Sequence, residues 1–213
     1  MIDLWYINTK DVDPNEINRM INFLPENIAN DIIRYKNHED RCLKLFGKII
    51  VQKYQEQLNR DFSWSNWSVS DKGKPFYTNG KRFNISHSGN VAAVAFSEFE
   101  VGIDIEKCVH IDITPLIAFL HEEERGYIND FGNSSDAFYR VWTRKEAYLK
   151  AKGIGIVEGL NIENCLQDNL GYDNEWFLTS LPIVPNYELA VCSQISTPTI
   201  NILKLEASNF LQL

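Results

Sequence analysis

Little in the sequence points to export, membranes or thiolate chemistry. The 213 residues include only four cysteines, Cys42, Cys108, Cys165 and Cys192, and no two have CxxC spacing. That argues against a zinc site and a disulfide framework, and the thiols read as reduced and mostly packed. No apolar run reaches the roughly 18 residues of a membrane span. The opening stretch MIDLWYINTKDVD has no basic segment leading into an apolar one, so no signal peptide is expected. These absences predict a cytoplasmic protein that does not engage membranes. Basic charge is scarce in the last third. Residues 153–213 hold one base, Lys204, against seven acids, and carry most of the net charge of −8. General nucleic-acid binding is not expected of such a chain. The remaining bases lie in the first 152 residues, where a local basic pocket for a small anion can form.

Hydrophobic residues at 44 % and charged residues at 23 % are ordinary for a globular chain. The length suits one large domain or two small ones. Residues 2–8 read as a strand, 14–24 and the segment from Pro25 to about Tyr35 as helices, and 39–58 as a longer helix. In that longer helix Leu43, Phe46, Ile50 and Tyr54 form an apolar face. Arg41, Lys44 and Lys48 share another face, read either as a solvated charged face or as an anion contact. Residues 63–70 predict a short aromatic strand, and 71–75 a turn. Three strands follow at 82–86, 91–96 and 101–106, expected to form an antiparallel meander.

The second half repeats this order. A helix begins at Thr114-Pro115, and 122–128 continues it or starts another. Ser135 is expected to cap a long helix over 136–152, ended by Gly153 and Gly155. Strands are expected at 176–179, 187–192 and 200–205. Helices then strands, given twice, predict an α+β fold of two similar halves, 1–107 and 108–213, each a small, mainly antiparallel sheet with packed helices.

Within 101–106, Asp104 and Glu106 point to one face and Ile103 and Ile105 to the other. Two carboxylates this close repel unless a cation lies between them, and oxygen-only ligands suit magnesium. An exposed strand face is the alternative. On the 136–152 helix, Phe138, Val141, Trp142, Tyr148 and Leu149 form a stripe with Lys145 near its middle. Lys145 therefore either meets a buried anion or snorkels outward. Glu146 and Lys150 lie together on the flank. Three carboxylates with lysines beside them supply metal ligands and phosphate contacts, the equipment of phosphoryl-type transfer. Ser86, His87 and Ser88, before Gly89, offer an anion cradle that Lys74 can reach from the preceding turn.

Gly73-Lys74-Pro75, the Phe83–Ser88 run FNISHS, the Val101–Glu106 run VGIDIE and the Trp142–Lys150 run WTRKEAYLK occur in this order. Together they resemble the Sfp-type 4′-phosphopantetheinyl transferases, and residues 34–40 with the helix after them extend the likeness over nearly the whole chain. The resemblance implies a single-chain pseudodimer with coenzyme A between its halves. It implies Mg²⁺-dependent transfer of 4′-phosphopantetheine from coenzyme A to a serine of an apo carrier protein (holo-ACP synthase activity), releasing 3′,5′-ADP. It assigns Asp104, Glu106 and Glu146 to magnesium, and Lys150, Lys74, Ser86 and His87 to coenzyme A. Glu146 or a metal-bound water is the candidate base, and Lys145 either aids the leaving oxygen or orients Glu146. The comparable stretch of the family holds lysines where residues 27–31 have no base, so Arg34, Lys36, Arg41 or Lys44 are expected to replace them. Since carrier proteins are acidic and so is this chain, the expected carrier interface is locally apolar and ringed by bases. A monomer is expected, because the pseudodimer is internal. The competing readings are another magnesium-dependent phosphoester enzyme and a non-catalytic module binding coenzyme A or a carrier.

Overall fold

A computed structural model describes residues 1–58, 62–155, 159–173 and 175–210. The chain opens with β1 (Ile2–Asn8), followed by α1 (Pro14–Asn22), α2 (Glu26–Ile33) and α3 (His38–Gln57). Asp13 and Asn37 cap α1 and α3 through their side chains, fixing those starts close to the expected positions. The aromatic stretch after α3 is not one strand. Ser63 caps a 3-10 turn over Trp64–Asn66, and only β2 (Trp67–Val69) is extended, pairing with β3 (Pro75–Tyr77). Trp64 and Trp67 are spent on an aromatic cluster with Phe62, Tyr77 and Phe83 rather than on a sheet face.

Next come β4 (Arg82–Ser88), β5 (Val91–Ser97) and β6 (Val101–Lys107). The expected meander stops at β5. β4 and β5 form an antiparallel hairpin, but β6 hydrogen-bonds to β9 (Tyr187–Ser193) in a second sheet. The first sheet has the order β10-β1-β5-β4, with β10 (Ile200–Leu205) parallel to β1. The second has the order β6-β9-β8-β7, where β7 is Asn169–Leu170 and β8 is Trp176–Ser180. So the last strand of the expected 1–107 half lies in the second sheet, and a strand of the expected 108–213 half lies in the first. The cause is packing: Val101, Ile103 and Ile105 join Ile2, Leu4, Val91, Leu189 and Val191 in one apolar layer between the sheets. The doubling is visible in the order: β1-β5-β4 with α3 on its outer face is matched by β6-β9-β8 with the second long helix.

That second helix is α6 (Ser135–Lys152), preceded by α4 (Thr114–Ile117) and α5 (Glu122–Asp130). Ser134, not Ser135, supplies its cap, accepting from the Ala137 N–H, and Gly153 ends it at φ 68°. α6 is buried nearly all round rather than along one stripe. Its polar side chains survive burial because they are paired. Arg144 donates to the Cys165 and Gln167 carbonyls, to Ser180 and to Asp168. Among the described residues no helix is long and apolar enough to cross a membrane.

Gly102 sets how closely α6 approaches β6. A Cβ there would sit 2.0 Å from the Ala147 carbonyl oxygen and 2.4 Å from the Ala151 nitrogen. Gly102, Asp104 and Glu106 share the strand face turned to the helix. Gly102→Ala is therefore expected to lever α6 off β6, costing about 1–3 kcal/mol or more, and to move Glu146 and Lys150 away from Asp104. Denaturant unfolding reads the first effect, and the transfer activity that the resemblance implies reads the second. A variant as stable and as active as the parent would show that the close approach is not needed.

Candidate active site

The outer edge of β6 presents the N–H groups of Ile103, Ile105 and Lys107, which pair with no further strand of the sheet among the described residues. Side chains of β4 take the place of strand carbonyls. Asn84 Oδ1 accepts from Ile103 at 2.9 Å, Ser86 Oγ from Ile105 at 3.3 Å and Ser88 Oγ from Lys107 at 3.1 Å. A hydroxyl has a single proton to give. Ser86 gives it to Asp104 Oδ1 at 2.8 Å, and Ser88 gives its own to Glu106 Oε2 at 2.6 Å. The two halves are thus joined along a seam that also orients both strand carboxylates. Ser86 is buried in that seam, beneath the cleft described below.

Asp104 is 2 % exposed, and its Oδ1 also receives the Lys150 ammonium from α6. Its Oδ2 is buried with no hydrogen-bond partner among the described residues. Burial holds the Asp104 carboxyl above its usual range against the pull of Lys150. Burial and then the nearby Asp104 charge raise Glu106, which Ser88 partly offsets. Glu146, 6 % exposed, is pushed up to about 7 by burial, with Asp104 and Glu106 adding to the shift and Lys150 opposing it. The Lys150 ammonium is held above its usual range by Asp104 and Glu146 despite burial. So one ammonium balances three carboxylates, an under-compensated cluster with hard oxygen donors and one unpartnered buried oxygen. That composition suits a small divalent cation. Among the described residues no three His, Cys, Asp or Glu side chains are drawn close enough to enclose a metal ion, and Lys150 covers one Asp104 oxygen.

Beside this cluster lies a cleft of about 620 Å³, walled by α2–α3, by the β2–β3 turn and by the end of α6. Six bases line it: Arg34, Lys44, Lys48, Lys72, Lys74 and Lys150. His87 faces it, its imidazole lowered to about 4 by burial and by the nearby charges of Lys44, Lys150 and Lys48. A neutral His87 still offers an N–H to an anion. Lys74 Nζ is held by Glu100 at 3.1 Å and by the Val101 carbonyl at 3.2 Å, pinning the turn to β6. Gly73 takes φ 81°, open to glycine without strain, which lets the turn pass over the cleft.

Of the residues singled out from sequence, the structure gathers Lys44, Lys74, His87 and Lys150 around the cleft, and Asp104, Glu106 and Glu146 beside it. Arg41 is not in the lining; its Nε donates to the Tyr35 carbonyl at 2.6 Å, bracing the α2–α3 turn. Lys145 is turned away into the second half. It is fully buried against Glu124 at 2.8 Å and also donates to the Glu163 carbonyl. Lys36 does not line the cleft. Sequence reasoning missed Lys72 and Trp67 in the wall, the Asn84–Ser86–Ser88 seam and the partner of Lys145. The alternation of Asn84, Ser86 and Ser88 on one strand face was the available signal for the seam.

Comparison with known proteins gives the family. A family model described as the 4′-phosphopantetheinyl transferase superfamily matches residues 100–192, and one described as 4′-phosphopantetheinyl transferase, N-terminal, matches residues 11–99. The two models meet between β5 and β6. The 4′-phosphopantetheinyl transferase gsp of Aneurinibacillus migulanus is 31 % identical over 229 residues, covering 100 % of this chain and 95 % of that protein. The 4′-phosphopantetheinyl transferase Sfp of Bacillus subtilis (strain 168) is 26 % identical over 191 residues, covering 84 % and 85 %. The L-aminoadipate-semialdehyde dehydrogenase-phosphopantetheinyl transferase of Mus musculus is 28 % identical over 171 residues, covering 71 % of this chain and 52 % of that protein. With both halves matched and a relative covered almost end to end, this chain belongs to the 4′-phosphopantetheinyl transferase superfamily, among the Sfp-type enzymes.

Proposed function

We propose that the chain moves 4′-phosphopantetheine from coenzyme A to a serine of an apo carrier protein, with the phosphates of coenzyme A in the six-base cleft. The observation that carries this reading is the cleft itself. Bases from α2–α3, from the β2–β3 turn and from α6 converge next to Asp104, Glu106 and Glu146. A ligand with phosphates at separated positions is what such a wall accommodates.

In the reaction, the carrier serine oxygen bonds to the phosphorus that bears the pantetheine arm. The bond from that phosphorus to the bridging oxygen breaks, and 3′,5′-ADP leaves with the electron pair. Magnesium, which we propose Asp104, Glu106 and Glu146 hold, would neutralise the pyrophosphate and the charge growing on the leaving group. The serine proton needs an acceptor, and Glu146, held by α6 beside Asp104 and Glu106, is the carboxylate proposed to take it. Lys150, which lines the cleft, would contact the phosphates. Lys44, Lys74 and His87 are the proposed phosphate contacts, joined by Arg34, Lys48 and Lys72. Ser86 acts through Asp104, and Arg41 through the turn it braces. Lys145 holds α6 in place rather than touching substrate. Both halves of the site come from one chain, so we propose a monomer, working in the cytoplasm where carrier proteins are made. Exposed Val69, Phe76 and Phe99, near the bases of the turn, are proposed contacts for the carrier.

The function is tested by mixing the protein with magnesium, coenzyme A and several apo carriers and weighing the carriers. Gain of one phosphopantetheine is the expected result. No gain on any carrier, or coenzyme A turnover without a carrier, overturns the reading. The cleft has its own test. Lys44→Gln is expected to raise KM for coenzyme A about tenfold with kcat within a few-fold, the pattern of lost ground-state binding. An unchanged KM would remove Lys44 from the site.

A further inference from the structure

Asp31 is an acid standing among the cations of the cleft. It lies in the last turn of α2, where the helix dipole disfavours a carboxylate. Three positive groups keep it there. Its Oδ2 meets Lys48 Nζ at 2.8 Å, its Oδ1 meets Arg34 at 2.9 Å, and the Lys44 charge is near. Asp31 is about one-third exposed and itself lines the cleft, whereas the Lys48 side chain is 9 % exposed. Lys48 is thus a buried ammonium whose carboxylate partner faces the space where a phosphate is proposed to lie. An ion pair of this kind can be exchanged. A phosphate that enters offers Lys48 and Arg34 the same charge and more acceptor oxygens.

We propose that Asp31 is a built-in competitor for the cations at the α2–α3 end of the cleft, displaced by a bound phosphate group and setting how tightly, and how selectively, the cleft holds phosphorylated ligands. While Asp31 holds Lys48 and Arg34, a small anion must break two charge-assisted contacts to enter. A ligand anchored by a second phosphate near Lys74 and Lys150 can afford that exchange, and a lone phosphate cannot. Asp31 therefore favours ligands with phosphates at both ends of the cleft over inorganic phosphate. This inference rests on the cleft being the phosphate site, and the test separates the two ideas.

The test is titration of coenzyme A, pyrophosphate and inorganic phosphate into the full-length parent, Asp31→Asn and Asp31→Glu, read by calorimetry and by thermal shift. Asp31→Asn keeps the side-chain shape and removes the competing charge. It is expected to bind coenzyme A about tenfold tighter, the scale of one charge-assisted contact no longer surrendered. The gain for inorganic phosphate is expected to be larger, so discrimination between the two shrinks. The variant alone is expected to melt lower, because Lys48 loses its counter-charge, and phosphate is expected to restore the melting temperature more than in the parent. Asp31→Glu is expected to retain parent-like discrimination. Equal or weaker coenzyme A binding by a folded Asp31→Asn overturns the inference and makes Asp31 a simple structural partner of Lys48. If no protein binds coenzyme A or pyrophosphate, the cleft reading fails and the inference with it. Coenzyme A binding by the parent with no gain in the variant sinks only the inference.

Discussion

Glu146→Gln is expected to slow phosphopantetheine transfer by about 10²–10⁴-fold at saturating coenzyme A, the range associated with a positioned proton acceptor. Binding of coenzyme A in the absence of magnesium is expected to stay within a few-fold, since the phosphate contacts lie on other side chains. The same substitution has a signature that does not depend on catalysis. Burial lifts the folded Glu146 carboxyl to about 7, above the roughly 4.3 of an exposed glutamate. Between those values the folded protein binds more protons at this position than the unfolded chain. Its contribution to stability therefore falls as pH rises through that window. The parent should lose this contribution from about pH 4.5 to 7, and Glu146→Gln should not. At pH 8 the variant is expected to be more stable by about 3–4 kcal/mol, with the difference vanishing near pH 4. Magnesium should narrow the gap at pH 8 by stabilising the parent more than the variant. Denaturant midpoints across pH measure this. A variant less stable than the parent at pH 8, or one that transfers at the parental rate, contradicts the assignment.

The second large effect concerns Lys145, one residue away and built for a different task. Its ammonium and the Glu124 carboxylate are both fully buried, 2.8 Å apart. Glu124 also accepts from the Cys165 N–H at 2.8 Å and from the His121 N–H at 3.0 Å, so the pair ties α5, α6 and the 163–165 loop together. Removing one partner of such a pair costs about 3–5 kcal/mol, because the other charge is left uncompensated. Lys145→Met is expected to fall in that range. The double variant Lys145→Met with Glu124→Gln is expected to recover much of the loss, since no orphaned charge remains. Transfer activity should recover with stability. If Lys145 touched the leaving group, the double variant would refold and remain inactive. That outcome would restore the catalytic role considered from sequence.

The contrast between these neighbours shows what the sequence could disclose. Periodicity located β1, the three early helices, the long α6 and the β8–β10 strands because each has a regular apolar pattern, and the helices also have a capping residue or proline at their start. The same-face pair Asp104 and Glu106 was legible for the same reason. Partner choice was not. The 98–100 turn looks like a hairpin connection, yet β6 leaves β5 for β9 because its apolar face fills the layer between the sheets. Lys145 left two readings, a buried anion or an outward path, and the fold supplies the anion as Glu124 from α5. Lys48 read as part of a charged face together with Arg41. Only the fold shows that Lys48 faces the cleft while Arg41 braces a turn, since helical spacing alone gives direction and not neighbours.

We propose that Asp104 and Glu106 from one strand and Glu146 from α6 act together on a cation beside the six-base cleft. Single-turnover transfer to an apo carrier tests it most directly, with magnesium titrated into chelator-stripped parent and into Asp104→Asn. The expected result is no transfer in chelator, full recovery in the parent with added magnesium, and a large loss in Asp104→Asn that only high magnesium partly reverses. Full-rate transfer in chelator, or parental behaviour of Asp104→Asn, would contradict the account.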